Sequence, residues 1–140
     1  MRFVLGASVA LTWLLRDAGD GGAAFALVES LARPDTEIRV PATWHLEIAD
    51  ALVRAEMSGQ ITAADSSAFL DLLLRAPIEV DPATAELALS ATLALARQYR
   101  LSSYDASYLE LARRERLPLA TLAGDLARAA RAAGVTLVLG

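Results

Sequence analysis

Short, uninterrupted apolar runs alternate with helical stretches along almost the whole chain, and this constrains the fold more than any other feature. Phe3-Val4-Leu5 ends at Gly6, and residues 8–15 place Val9, Leu11, Trp13, Leu14 and Leu15 at helical spacings. A Gly/Asp stretch, 16–22, precedes a second helical segment over 23–32 and a strand over 37–40 stopped by Pro41. Thr43 is placed to cap a helix running through Met57, with Gly59 as its stop, and Thr62-Ala63-Ala64-Asp65 is close to a capping box. A brief strand over 77–80 leads into Asp81-Pro82, a cap and a first-turn proline, and then an alanine-leucine helix over 83–99. Ser102 or Ser103 caps a helix over 104–116. The apolar segment 117–122, a last helix from Gly124-Asp125 to Gly134, and a strand over 136–139 complete the chain. Strands that are apolar throughout, separated by helices, predict an α/β architecture: a mostly parallel, five-stranded sheet with helices on both faces. With no internal repeat or linker, residues 1–140 read as one domain.

Composition removes several chemistries. All thirteen cationic side chains are arginine, so functions that need a lysine, such as a Walker-type phosphate cradle or a Schiff base, are excluded. Without cysteine, and with His45 as the sole histidine, there is no disulfide framework, thiol nucleophile or Cys/His zinc site. The net charge of -4 argues against holding nucleic acid through a broad cationic surface, though a narrow arginine-lined site remains compatible with it. Arginines at 16, 33, 54, 75 and 97 interrupt every apolar run before the roughly twenty residues a membrane helix requires, so the chain reads as soluble, without a membrane partner. The apolar opening, with only Arg2 before it and Asp17 after it, reads as a folded strand and helix rather than a leader.

In an open parallel sheet, ligands collect at the carboxyl ends of the strands. Gly6, the helix around Glu47, Asp105 at a helix start, and the turn Ala123-Gly124-Asp125 follow strands or open helices there, and three of these four regions carry a carboxylate. Four segments then stand in a characteristic order and spacing: Phe3-Val4-Leu5-Gly6-Ala7-Ser8-Val9, Trp44-His45-Leu46-Glu47-Ile48-Ala49, Leu101-Ser102-Ser103-Tyr104-Asp105-Ala106 and Leu119-Ala120-Thr121-Leu122-Ala123-Gly124-Asp125-Leu126. With them the chain resembles the PIN-domain nucleases, and among these the VapC-type toxins of toxin-antitoxin pairs, over nearly its full length. The resemblance implies a PIN-like fold and a cytoplasmic, Mg²⁺- or Mn²⁺-dependent endoribonuclease acting on RNA. It also implies a homodimer, held inactive by a cognate antitoxin protein. On this reading Glu47, Asp105 and Asp125 are the metal-holding and catalytic acids.

The chain departs from that pattern at two acidic positions, where it has Gly6 and Ala123. Loss of one carboxylate from a small Mg²⁺ site, at a cost of roughly 3 kcal/mol, corresponds to more than a hundredfold in rate. The resemblance therefore implies a weakened or inactive nuclease, and the alternative is a catalytically dead PIN-fold module that binds an antitoxin or another protein. Each acid also has an ordinary structural role open to it. Glu47 sits on an amphipathic helix beside a possible Asp50–Arg54 pair, Asp105 suits a helix dipole, and Asp125 suits an N-cap. Ser8 and Thr121 are expected to bond nearby backbone. His45, with no nucleophile elbow in the chain, is expected on a polar helix face. Arg113, Arg114 and Arg116 are expected to be solvated at a helix end. Gly19-Asp20-Gly21-Gly22-Ala23-Ala24 has the letters of a dinucleotide loop but follows a helix, which disfavours that function.

Overall fold

A computed structural model describes residues 1–15 and 22–139. The Gly-rich segment at 19–24 therefore lies largely outside the described residues. Four strands, β1 (Arg2–Leu5), β2 (Glu37–Val40), β3 (Ile78–Val80) and β4 (Leu119–Ala120), form a sheet in the order β3-β2-β1-β4. Each neighbouring pair is parallel. β1 is central, and its consecutive residues Phe3, Val4 and Leu5 are all fully buried. Successive strand residues point to opposite faces, so both faces of β1 are covered, which explains why the strand is apolar throughout.

The expected fifth strand is not formed. Leu137 makes one parallel bridge to Leu119, supported by Leu119 N–H to Thr136 O at 2.8 Å and Val138 N–H to Leu119 O at 2.9 Å, but residues 138 and 139 turn away. A two-residue β4 offers no longer ladder for the C-terminal segment to follow.

The helices follow the sequence expectations with local differences. The first is short, α1 (Ala7–Leu11), and the second segment divides into α2 (Ala23–Ala26) and a 3₁₀ stretch over 27–32. α3 (Trp44–Met57) buries Trp44, Ile48, Leu52 and Ala55, one stripe at helical spacing. α4 (Ala63–Arg75) begins with a complete capping box: Asp65 N–H donates to Thr62 Oγ1 at 3.1 Å, and Thr62 N–H donates to Asp65 Oδ2 at 2.9 Å. The helix expected over 83–99 is divided into α5 (Thr84–Leu87), a wide π turn over 88–92, and α6 (Leu93–Tyr99). α7 (Ser103–Glu115) is buried continuously from Ala106 to Ala112 and packs on β1 and β4. α8 (Gly124–Ala132) packs against α7. Among the described residues no helix is long and apolar enough to cross a membrane.

One arginine departs from expectation. Arg114 is not a solvated helix-end charge: its guanidinium donates to Asp81 Oδ2 at 2.6 Å and to Glu110 Oε2 at 2.8 Å, and both acids are buried. Hydrogen bonding to Glu110 leads the causes that raise its pKa further above the ordinary arginine range. Arg39 on β2 extends the network to Glu79 and Glu115. These bonds lock the β2–β3 side of the sheet to the C-terminal half of α7.

Candidate metal centre

The three acids lie in helix first turns, those of α3 and α8 following β2 and β4 and that of α7 following α6. Glu47 lies in the first turn of α3, Asp105 in that of α7 and Asp125 in that of α8, while Gly6 is the N-cap of α1. A carboxylate in a first turn is favoured by the helix dipole, so the same placement serves stability and ligand binding.

Glu47 is half-buried. Its Oε2 accepts a hydrogen bond from the Tyr108 hydroxyl at 3.1 Å, and its Oε1 has only a long contact, 3.5 Å, from the Thr43 hydroxyl. Burial raises the Glu47 pKa above its ordinary value; the Tyr108 bond opposes the rise and the charge of Asp105 adds to it. Asp105 is also half-buried, and its pKa is raised first by burial and then by the charge of Asp125. It is not the cap of its helix: Ser102 Oγ fills that role, accepting from Asp105 N–H at 3.1 Å. The Asp105 carboxylate has no hydrogen bond or ion pair among the described residues, and the cap expected from Ser102 or Ser103 is Ser102.

Asp125 stands apart from this pair. It is exposed and bound to Arg128 at 3.0 Å, and the N-cap of α8 is Ala123, so the expected N-cap role for Asp125 is not realised. Its charge is felt at Asp105. Among the described residues no group of three His, Asp or Glu side chains is placed to hold one ion. Glu47 and Asp105 thus form a pair of oxygen donors, Glu47 feeling the charge of Asp105, with no cationic side chain bonded to either among the described residues. That donor set fits a hard divalent cation such as Mg²⁺, which is commonly held by one or two carboxylates and retains waters.

The two positions lacking an acid differ. A Cβ on Gly6 would lie 2.7 Å from Ala120 O, the same oxygen that accepts Gly6 N–H at 2.8 Å, so β1 and β4 have closed to a distance that only glycine tolerates there. Ala123 is half-buried in the turn after β4, its N–H donating to Thr121 Oγ1 at 3.1 Å. Ser8 Oγ accepts from Leu122 N–H at 3.1 Å, tying the turn after β1 to the turn after β4. Both hydroxyls bond backbone, as expected, but the Ser8 bond joins segments distant in sequence. His45 is exposed, edge-on to Trp44 with ring centroids 5.0 Å apart, and the Asp50–Arg54 pair is formed.

Sequence reasoning missed Tyr108. It is buried, and its hydroxyl both donates to Glu47 and accepts from Ala7 N–H at 3.3 Å. The available signal was its spacing, three residues after Asp105 and hence on the same helix face.

No protein-family model matches the sequence, and no curated protein is significantly similar to it. Several solved structures are similar in fold, two of them as follows. PAE2754 from Pyrobaculum aerophilum superposes with a TM-score of 0.67 at 20% identity, covering 92% of this chain and 79% of that one. VapBC2 from Rickettsia felis, solved bound to a DNA fragment from its promoter, gives a TM-score of 0.64 at 17% identity, covering 98% of this chain and 97% of that one. With its parallel four-stranded sheet, flanking helices and acids at the strand ends, the chain has the PIN-like fold of the VapC kind.

Proposed function

We propose that the chain is a VapC-like toxin with the architecture of a Mg²⁺- or Mn²⁺-dependent endoribonuclease, strongly weakened by Gly6 and Ala123. The observation that carries this reading is the Glu47–Asp105 pair: two half-buried carboxylates in helix first turns, the charge of one raising the pKa of the other, with no arginine bonded to either among the described residues. Glu47 and Asp105 are the ion's ligands, and Asp125 contributes by its charge. A bound divalent cation supplies water activation and neutralises charge on the scissile phosphate. The chain's own acids hold that ion and orient the attacking side of the site. With residues 6 and 123 lacking carboxylates, fewer oxygens fix ion and water, and each loss at roughly 3 kcal/mol lowers the rate more than a hundredfold. The proposed partners are RNA as substrate, a cognate antitoxin and a second copy of the chain, in the cytoplasm.

The test is Mg²⁺-dependent cleavage of a panel of structured RNAs by the chain, by Ala123→Asp and by the double variant Gly6→Asp, Ala123→Asp. Slow cleavage that rises at least about tenfold in Ala123→Asp supports the reading. Absence of cleavage and of Mn²⁺ binding in all three overturns it.

A second reading, a PIN-fold module that acts only by binding an antitoxin or another protein, is favoured by a different observation. A groove of about 320 Å³ between α3 and α4 is lined by Trp44, Ile48, Leu52, Leu70, Leu74 and Ile78. Trp44 Nε1 is buried without a hydrogen-bond acceptor, and Leu74 is largely exposed. An apolar groove of this kind suits an amphipathic helix.

A further inference from the structure

The Tyr108 hydroxyl joins three elements. A phenol has one proton and accepts through its lone pairs, so with Ala7 N–H as the donor to it, its own proton is committed to Glu47 Oε2. The N-terminal amides of α1 need an oxygen, and its N-cap, Gly6, has no side chain to provide one. Tyr108 provides it from α7. The same bond occupies one oxygen of Glu47 and, among the described residues, leaves the Oε1 side with only the long contact from Thr43.

We infer that Tyr108 is a positioning residue: its buried hydroxyl, anchored by Ala7 N–H, fixes the Glu47 carboxylate so that its less encumbered oxygen is presented to a divalent cation together with Asp105. This rests on the reading of Glu47 and Asp105 as metal ligands. Groups that orient a metal ligand from behind commonly change affinity by 10- to 100-fold when removed.

Tyr108→Phe keeps the ring and deletes the hydroxyl. In metal-free protein carrying ¹³C-carboxyl-labelled glutamate, the titration midpoint of Glu47 is expected to rise, because the variant loses a bond that favours the charged form. Mn²⁺ binding, followed by electron paramagnetic resonance, is expected to weaken about tenfold. An unchanged Glu47 midpoint with Mn²⁺ affinity within about twofold of the parent overturns the role of Tyr108. If the parent chain takes up no Mn²⁺ at all, the reading of the pair as a metal centre fails, while the carboxyl resonance still decides whether Tyr108 holds Glu47. Should Tyr108→Phe not fold, 3-fluorotyrosine at position 108 keeps both bonds with a stronger donor. The Glu47 midpoint must then fall, and an unmoved midpoint overturns the inference.

Discussion

Two groups of carboxylates, one along the C-terminal half of α7 and one at its start, show what burial does with and without a counter-charge. Asp81 and Glu110 are the more deeply buried, 2% and 7% exposed, yet Arg114 bonds both at hydrogen-bonding distance. Glu47 and Asp105 are only half-buried, have no cationic side chain bonded to them among the described residues, and hold their protons more tightly than free carboxyls. The first group is complete as a protein structure. The second has no counter-charge bonded to it among the described residues, and on that contrast the proposed metal site rests.

Breaking the complete cluster should have the largest effect. Arg114→Ala leaves Asp81 buried without its cation, and a loss of about 3 kcal/mol, lowering Tm by about 10 °C, is expected in thermal unfolding. Next is the point where β1 meets β4. Gly6→Ala brings a Cβ against Ala120 O and should cost about 2 kcal/mol in urea unfolding, whereas Gly124→Ala, whose Cβ meets nothing within 4 Å, should cost less than about 0.5 kcal/mol. Equal costs at the two glycines would show that residue 6 is not confined. This difference also explains why Ala123 is the better position at which to restore an acid.

The incomplete pair has a smaller, pH-dependent signature. The native carboxyls have raised pKa values, so the stability they contribute is fully present below their ordinary values, 3.8 for Asp105 and 4.5 for Glu47, and is lost as the pH rises through the elevated ones. Asp105→Asn removes part of that loss. Relative to the parent, its metal-free Tm should therefore improve by about 2 °C between pH 3.5 and pH 7.5, and millimolar Mn²⁺ should reverse the order at pH 7.5. A difference between the two proteins that does not change with pH would remove the charge argument. The smallest effect belongs to Asp125, exposed and paired with Arg128: Asp125→Asn should weaken Mn²⁺ binding only about twofold and change stability by less than about 0.5 kcal/mol.

Much of the fold was legible because strand and helix signals are local. Apolar runs broken by Gly6 and Pro41, the Thr62–Asp65 capping box and the Ser102 cap all mark boundaries in neighbouring residues, and the four spaced segments carried the PIN resemblance. Pairing between distant segments was not legible: residues 136–139 are apolar enough for a strand, but a two-residue β4 supports only a single bridge at Leu137. The site divides in the same way. Glu47 and Asp105, the proposed ligands, stand out in their segments, whereas the bonds of Tyr108 to α1 and α3 are ones that only the folded chain creates. Arg114 was misread for the same reason, since Asp81 lies 33 residues away in sequence.

The central claim is that Glu47 and Asp105 are held together for a divalent cation. Its most direct test is Mn²⁺ titration, followed by electron paramagnetic resonance, of the parent chain beside Glu47→Gln, Asp105→Asn. Saturable binding by the parent that is abolished in the folded double variant is the result this account predicts; equal binding by both, or none by the parent, contradicts it.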